Sequence, residues 1–133
     1  MLQKTISALL ITILCSSFVQ TTNNLKGTYE FKGGIYNGKK EGAPTEYTLQ
    51  RKYKADNFDA FLLEKGEKPQ KYQSGKYELK TDSCFETETY SAQPSKLTGI
   101  TLKYHYAFRN DTLIFHGILP TGMVVEEYWK KVK

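Results

Sequence analysis

Hydrophobic and polar residues alternate along the chain between positions 25 and 132, in eight runs rich in Tyr, Phe, Thr and Val. Short segments containing Gly, Asn, Asp or Pro separate the runs, and no run has the 3.6-residue period of an amphipathic helix. A period of two is typical of β-strands with one buried face. The predicted strands are 25–33, 45–54, 57–65, 72–80, 83–90, 99–108, 112–119 and 123–132.

Short connections pair each strand with its neighbour, so the pattern predicts an all-β fold: a small eight-stranded antiparallel up-and-down barrel with no substantial helix. The barrel domain spans 25–133, and a chain of 133 residues has room for one such core. Segments 34–44, 66–71 and 91–98 are predicted to be longer loops. A closed barrel has one deep concave surface, its interior, so its function depends on what the interior holds.

The two-residue turns fix which side chains face each other. A turn at Asn110-Asp111 places Tyr106 opposite Phe115 and Tyr104 over Gly117. These residues therefore share the core face of two neighbouring strands. The residues predicted to lie on that face of the sixth run are Ile100, Leu102, Tyr104, Tyr106 and Phe108.

The N-terminal segment 1–20 has the layout of a secretory signal, with Lys4 before an apolar stretch at 6–14. The stretch is too short for a permanent membrane span. We therefore expect a secreted or periplasmic protein that is cleaved after Ser16 and before Leu25. The alternative is acylation of Cys15, which would anchor the protein to a membrane surface; Leu14 disfavours it, because a lipoprotein signal has a small residue there.

Charge and cysteine content narrow the classes of partner. The chain has 19 basic and 14 acidic residues, a net charge of +5, and the basic residues are scattered without a nucleic-acid motif. A solvated surface is the favoured interpretation, with no nucleic-acid partner. If Cys15 is removed, Cys84 is the remaining thiol, and one thiol cannot form an internal disulfide.

Four short segments resemble one protein family. They are Leu25-Lys-Gly-Thr-Tyr-Glu30, Ser74-Gly-Lys-Tyr-Glu-Leu79, Cys84-Phe-Glu-Thr-Glu-Thr-Tyr90 and Glu126-Glu-Tyr-Trp-Lys-Lys-Val132. With them the chain resembles the bacterial secreted lipocalin-like domains of the calycin superfamily. The resemblance implies an eight-stranded barrel and the capture of a small apolar or amphipathic molecule. Two features depart from the family: Tyr29 stands where lipocalins usually have Trp, and no C-terminal helix follows the last strand.

Arg51 is the candidate polar anchor inside the barrel, because alternation places it on the same strand face as Tyr47 and Tyr53. There it could hold the anionic head group of a ligand bidentately. One alternative is an ion pair that closes one end of the barrel, with Glu86, which a Thr81-Asp82 turn places opposite Tyr77. Another is a position at the rim, from which Arg51 extends to water. The residues predicted to bind ligand are Arg51, Tyr47, Tyr77, Glu86, Tyr104, Tyr106 and Phe115.

Other chemistry has little support in the sequence. The turn that pairs Tyr106 with Phe115 also places His105 opposite His116, but an exposed cross-strand pair is favoured over a metal site. The chain has no nucleophile motif and no phosphate-binding loop, and an acid–base role for Glu86 with Glu88 is disfavoured. We expect no cofactor and no catalysis.

Two functions remain. The first is non-enzymatic carriage of a small amphipathic molecule in the barrel interior, and the alternative is a ligand-free barrel that binds or inhibits another protein through its loops. Segment 34–44 is the candidate contact loop for that partner. The volume of the interior separates the two, because a carrier needs a continuous cavity of a few hundred Å³.

Overall fold

The computed structural model describes residues 24–133; the predicted secretory segment and Cys15 lie outside the described residues. The described chain forms nine strands. They are β1 (Gly27–Tyr36), β2 (Lys39–Gly42), β3 (Thr48–Tyr53), β4 (Asn57–Leu63), β5 (Gln70–Lys80), β6 (Ser83–Ser91), β7 (Thr101–Arg109), β8 (Thr112–Ile118) and β9 (Val124–Lys131).

The sheet closes into a barrel of eight antiparallel strands. From β3 to β9 each strand pairs with the next, and β1 completes the circle by pairing with both β3 and β9. The short β2 pairs with β1 beyond the end of β3. It therefore projects past the barrel wall and is not one of the eight barrel strands. The predicted all-β antiparallel barrel is confirmed, and its architecture is consistent with a lipocalin-like fold. No helix long and apolar enough to cross a membrane occurs in residues 24–133.

Segment 34–44 differs from its prediction as a loop, because it contains the end of β1, a tight turn and β2. Asn37 and Gly38 form the turn with φ angles of 49° and 81°. Positive φ at both central residues is the type I′ geometry, for which Asn-Gly is a strong sequence signal. The signal was present, but Lys39–Gly42 is exposed throughout and has no hydrophobic alternation by which a strand is recognised.

The two predicted registers are confirmed. Tyr77 pairs with Glu86 across the Thr81-Asp82 turn, and Tyr106 pairs with Phe115 across the turn between β7 and β8. The predicted core face of β7 is too long, however. Ile100 and Phe108 are 42% and 43% exposed, because they lie at opposite ends of the strand and extend beyond the packed interior.

The barrel has two dissimilar ends. The turn end contains residues 24–28, the tight turns after β3, β5 and β7, and residues 130–133; the loop end contains the β1–β2 turn and the longer connections. Leu25 closes the turn end from inside: its N–H donates to the Tyr77 hydroxyl at 2.9 Å, and its carbonyl accepts from the Tyr29 hydroxyl at 2.8 Å. The core cluster consists of Leu25, Tyr29, Tyr53, Phe58, Tyr77, Cys84, Leu113, Phe115 and Trp129.

Candidate functional site

A buried ion pair lies inside the barrel, above the aromatic core. Arg51 Nη1 on β3 lies 3.3 Å from both carboxylate oxygens of Glu86 on β6, and the two side chains are only 12% and 8% exposed. The Tyr53 hydroxyl joins the pair, since it accepts from Arg51 Nη1 at 2.8 Å and donates to Glu86 Oε1 at 2.9 Å. The inward direction of Arg51 follows the predicted alternation, and its partner is a residue of the protein itself.

Two aromatic rings hold the guanidinium of Arg51. Its Cζ atom lies 4.9 Å from the ring centroid of Phe58 and 4.9 Å from that of Trp129. Both distances are within the range of a cation–π interaction, which is strongest when the cation has lost its water. Arg51 therefore serves as a packing element of the core as well as a charge. Two of the buried donors here, Arg51 Nε and Trp129 Nε1, have no hydrogen-bond partner among the described residues.

The surroundings keep Arg51 charged and the nearby tyrosine neutral. Burial works to lower the pKa of Arg51, but the neighbouring Tyr53, Glu86 and Glu127 outweigh it and raise that pKa well above its usual value. Burial raises the pKa of Tyr53 well above normal, so its hydroxyl remains protonated and can donate to Glu86. Arg51 is thus charged and Tyr53 is neutral throughout the neutral pH range.

A second polar group continues toward the loop end. Arg51 Nη2 donates to the Gln73 side chain at 3.4 Å, and Gln73 Nε2 donates to Glu88 at 2.7 Å. Thr98 Oγ1 also donates to Glu88 at 2.7 Å. Partial burial would raise the pKa of Glu88, but hydrogen bonds from Ser95, Thr98 and Gln73 outweigh it and lower that pKa below its usual value. Glu88 is therefore ionised and fixed in place.

The carboxylate of Glu127 also acts on Arg51. Glu127 of β9 accepts a hydrogen bond from the Tyr36 hydroxyl at 2.9 Å, and its charge acts on Arg51. One guanidinium therefore faces the carboxylates of Glu86, Glu88 and Glu127. Because Arg51 is already neutralised by this set, it offers little attraction to a further anionic head group.

The space left inside is small. A cavity of about 60 Å³ lies beside Arg51, and Leu97 and Ile100 from the loop end are among the residues that line it. Sites for drug-sized ligands have roughly 300–1,000 Å³. A cavity of this size accommodates a few water molecules. The residues that line it are Arg51, Phe58, Gln73, Glu86, Glu88, Leu97, Ile100, Leu102 and Tyr104.

The structure brings some of the predicted site residues together. Arg51, Glu86 and Tyr104 line the same cavity. Phe115 is buried beneath it, with its ring centroid 5.7 Å from that of Tyr104. These four residues lie near one another, although the cavity between them is small.

The other three predicted residues lie elsewhere. The Tyr77 hydroxyl is bound at the turn end, where it donates to the Lys54 carbonyl. Tyr106 also lies at the turn end, and its hydroxyl donates to the Thr81 carbonyl at 3.3 Å. Tyr47 lies before β3 at the loop end and is 37% exposed. None of the three hydroxyls forms a hydrogen bond with Arg51 or Glu86.

Sequence reasoning did not select four polar residues of this cluster for the site. Tyr53 was predicted to share the face of Arg51 but not to bind ligand. The other three are Gln73, Glu88 and Glu127. Alternation could have found them, because Gln73 shares the face of Tyr77, Glu88 that of Glu86, and Glu127 that of Trp129. Their polarity masked the signal, since inward positions were recognised chiefly by apolar side chains.

The histidine pair has the predicted register and lies on the outside of the barrel. His105 and His116 are cross-strand neighbours, and both are exposed. His105 Nδ1 lies 3.7 Å from the Asp82 carboxylate. Across residues 24–133 no group of three or more His, Cys, Asp or Glu side chains has the arrangement of a metal site.

Exposed apolar side chains are concentrated at the loop end. Eight large hydrophobic residues are exposed in the described part of the chain, and six of them lie at this end. The six, which we call the apolar rim, are Tyr47, Tyr90, Ile100, Ile118, Met123 and Val124. Ile118 and Val124 are register partners on β8 and β9, and the β1–β2 turn is joined to them by a 2.9 Å hydrogen bond from Val124 N–H to Asn37.

The larger depressions lie on the outer surface. One depression of about 500 Å³ lies along β5 and β6 near the turn end and is lined by Lys76 and Phe85, among others. Another of about 360 Å³ lies beside the β1–β2 hairpin, past Gly33 and Tyr128. Both are open to solvent, so the volume available for contact lies mostly outside the barrel.

Comparison with known proteins identifies no relative: no protein-family model matches the chain, and no curated protein matches its sequence.

Proposed function

We propose that this protein is a non-catalytic binding module that recognises another protein through the loop end of a filled barrel. The observation that carries the proposal is the interior cavity of about 60 Å³, which is far too small for an amphipathic ligand. The Arg51–Glu86 pair and its aromatic neighbours occupy the space in which a carrier would hold its cargo. The binding surface of the protein is therefore on the outside of the barrel.

The apolar rim supports the loop end as that surface. Exposed apolar residues that are scattered singly are normal, whereas a group on one side of a molecule is typical of an interaction site. Ile118 is 66% exposed and has Val124 beside it. The β1–β2 hairpin adds β2, a short strand whose outer edge has no partner among the described strands. Loops presented on a rigid barrel are suited to recognition.

The test uses the protein isolated from its own host and examined by native mass spectrometry. We expect a complex with another protein and no bound small molecule. Substituting Ile100→Ser together with Ile118→Ser should abolish the complex. Phe108→Ser is the matched control, because Phe108 has nearly the same exposure as Ile100 and lies at the turn end. A small molecule released from the barrel, or a complex that survives the rim substitutions, would refute the proposal.

Carriage of a small amphipathic molecule is the second candidate, and the observation in its favour is the polar cluster open toward the loop end. It requires the loop that carries Leu97 and Ile100 to move and enlarge the cavity, because about 60 Å³ is too small for an amphipathic molecule. Titration with an anionic and a neutral amphiphile of equal chain length tests it. Tight binding of the anionic one that Arg51→Leu abolishes would favour the carrier over the binding module.

We further propose that the barrel belongs to the lipocalin-like group of the calycin superfamily and acts outside the cytoplasm. The closed eight-stranded barrel and the four segments that resemble the family support membership. The secretory layout of 1–20 supports export. N-terminal sequencing of the mature protein tests the location: a start between residues 17 and 25 supports cleavage, a blocked Cys15 supports a lipid anchor, and retention of Met1 contradicts export.

A further inference from the structure

The positive charge of the described chain is concentrated at the turn end. Of the 19 basic residues in the sequence Lys4 lies outside residues 24–133, which leaves 18 basic and 14 acidic residues there. For this comparison the turn end consists of residues 24–28, residues 130–133, and each tight turn with two strand residues on either side (52–58, 79–84 and 108–113). This region has eight basic residues and three acidic ones, and the rest of the described chain has ten and eleven.

These eight residues are available to a partner. All of them are exposed, and seven of the eight have no carboxylate within 4.0 Å among the described residues; Lys80, beside Glu78, is the exception. They come from five separate segments placed around the end of the barrel. The eight are Lys26, Lys52, Lys54, Lys80, Arg109, Lys130, Lys131 and Lys133.

We propose that the turn end binds the headgroups of an anionic phospholipid membrane. A ring of basic side chains around one end, seven of the eight without a carboxylate partner among the described residues, matches a flat anionic surface, where each Lys or Arg contributes about fivefold to binding. This inference is independent of the proposed function, which uses the opposite end.

A nucleic acid fits the same face less well. Proteins that bind single strands combine basic residues with several exposed aromatic platforms. Phe108 is the one large exposed aromatic residue at the turn end within residues 24–133. The barrel also presents no helix with which to enter a groove of duplex DNA.

Co-sedimentation with vesicles tests the proposal with the full chain. One set of vesicles is phosphatidylcholine alone, and the other contains about one third phosphatidylglycerol. The test variant is Lys26→Glu, Lys54→Glu and Lys130→Glu. The matched control is Lys39→Glu, Lys40→Glu and Lys65→Glu, which makes the same change in net charge at the loop end. All six lysines are exposed and lack a carboxylate partner within 4.0 Å.

We expect the unsubstituted chain and the control to bind the anionic vesicles and to be released by high salt. The test variant should lose at least about 100-fold in partition, at roughly fivefold for each lysine removed, and repulsion by the three new glutamates adds to the loss. All chains share residues 1–23, so the difference between variants reports on the barrel. Equal losses in both variants, or equal binding of the unsubstituted chain to both sets of vesicles, would overturn the proposal.

Two further measurements keep the result decisive. Circular dichroism verifies folding, and if the triple variant is unfolded, the salt dependence and lipid preference of the unsubstituted chain decide instead. Binding to DNA or to a soluble sulfated polysaccharide is measured at the same salt concentration. If either polyanion is bound as tightly as the anionic vesicles and is lost in the same variant, the face is a general polyanion site and the lipid assignment is wrong.

Discussion

Replacing Arg51 by Met should destabilise the barrel strongly, because it leaves Glu86 buried without its cationic partner. The Glu86 side chain is 8% exposed and would retain one hydrogen bond in this cluster, from the Tyr53 hydroxyl. Removing one partner of a buried ion pair costs about 3–5 kcal/mol. The contacts of the guanidinium with two aromatic rings are lost as well, and Met keeps much of the side-chain length, which limits the cavity that forms.

Urea unfolding measures this loss. For a small domain, a loss of about 3–5 kcal/mol lowers the midpoint by about 2 M urea. Arg51→Met combined with Glu86→Leu should be more stable than Arg51→Met alone, because the uncompensated charge is gone. The summed losses in free energy of unfolding of the two single variants should therefore exceed the loss in the double variant by at least about 2 kcal/mol.

An exposed ion pair on the same barrel is the control. Lys71 lies 3.7 Å from Asp59, and their side chains are 47% and 28% exposed. Lys71→Met should cost less than about 1 kcal/mol, because water screens the pair. A loss below about 1 kcal/mol for Arg51→Met, or strict additivity with Glu86→Leu, would refute the interpretation of a buried, coupled pair.

Three further predictions concern other parts of the interior. Gly75→Ala should cost about 1–3 kcal/mol in urea unfolding, because a Cβ would lie 2.6 Å from the Phe58 ring, while Gly42→Ala, in open space, should change stability by less than about 0.5 kcal/mol. Burial raises the pKa of the Cys84 thiol, so the peptide that contains it should resist iodoacetamide at pH 8 until the barrel unfolds; rapid native labelling would contradict this. Because the pKa of Glu88 is lowered in the fold, its stabilising effect is present above its unfolded value of about 4.3 and is lost as pH falls through the folded value. The difference in melting temperature between the unsubstituted chain and Glu88→Gln should therefore be larger at pH 7 than at pH 3, and equal differences would show that the carboxylate is not the cause.

Local sequence patterns are sufficient to predict the fold class and much of the register. Period-two alternation specifies which side chains share a face, and two-residue turns specify which residues lie opposite, so Tyr77 with Glu86 and Tyr106 with Phe115 followed directly. Both are local properties of neighbouring residues. The strand β2 was missed for the same reason, because its exposed residues have no hydrophobic alternation and its pairing depends on the turn alone.

The contents of the interior are not encoded in any single strand. Alternation placed Arg51 inside, but its position between Phe58 and Trp129 depends on strands distant in sequence that meet when the barrel closes. The interior volume is the small difference between the space enclosed by eight strands and the summed volumes of the side chains in it, and no local pattern encodes that difference. The separation of an apolar loop end from a basic turn end likewise arises because antiparallel pairing sends alternate connections to opposite ends.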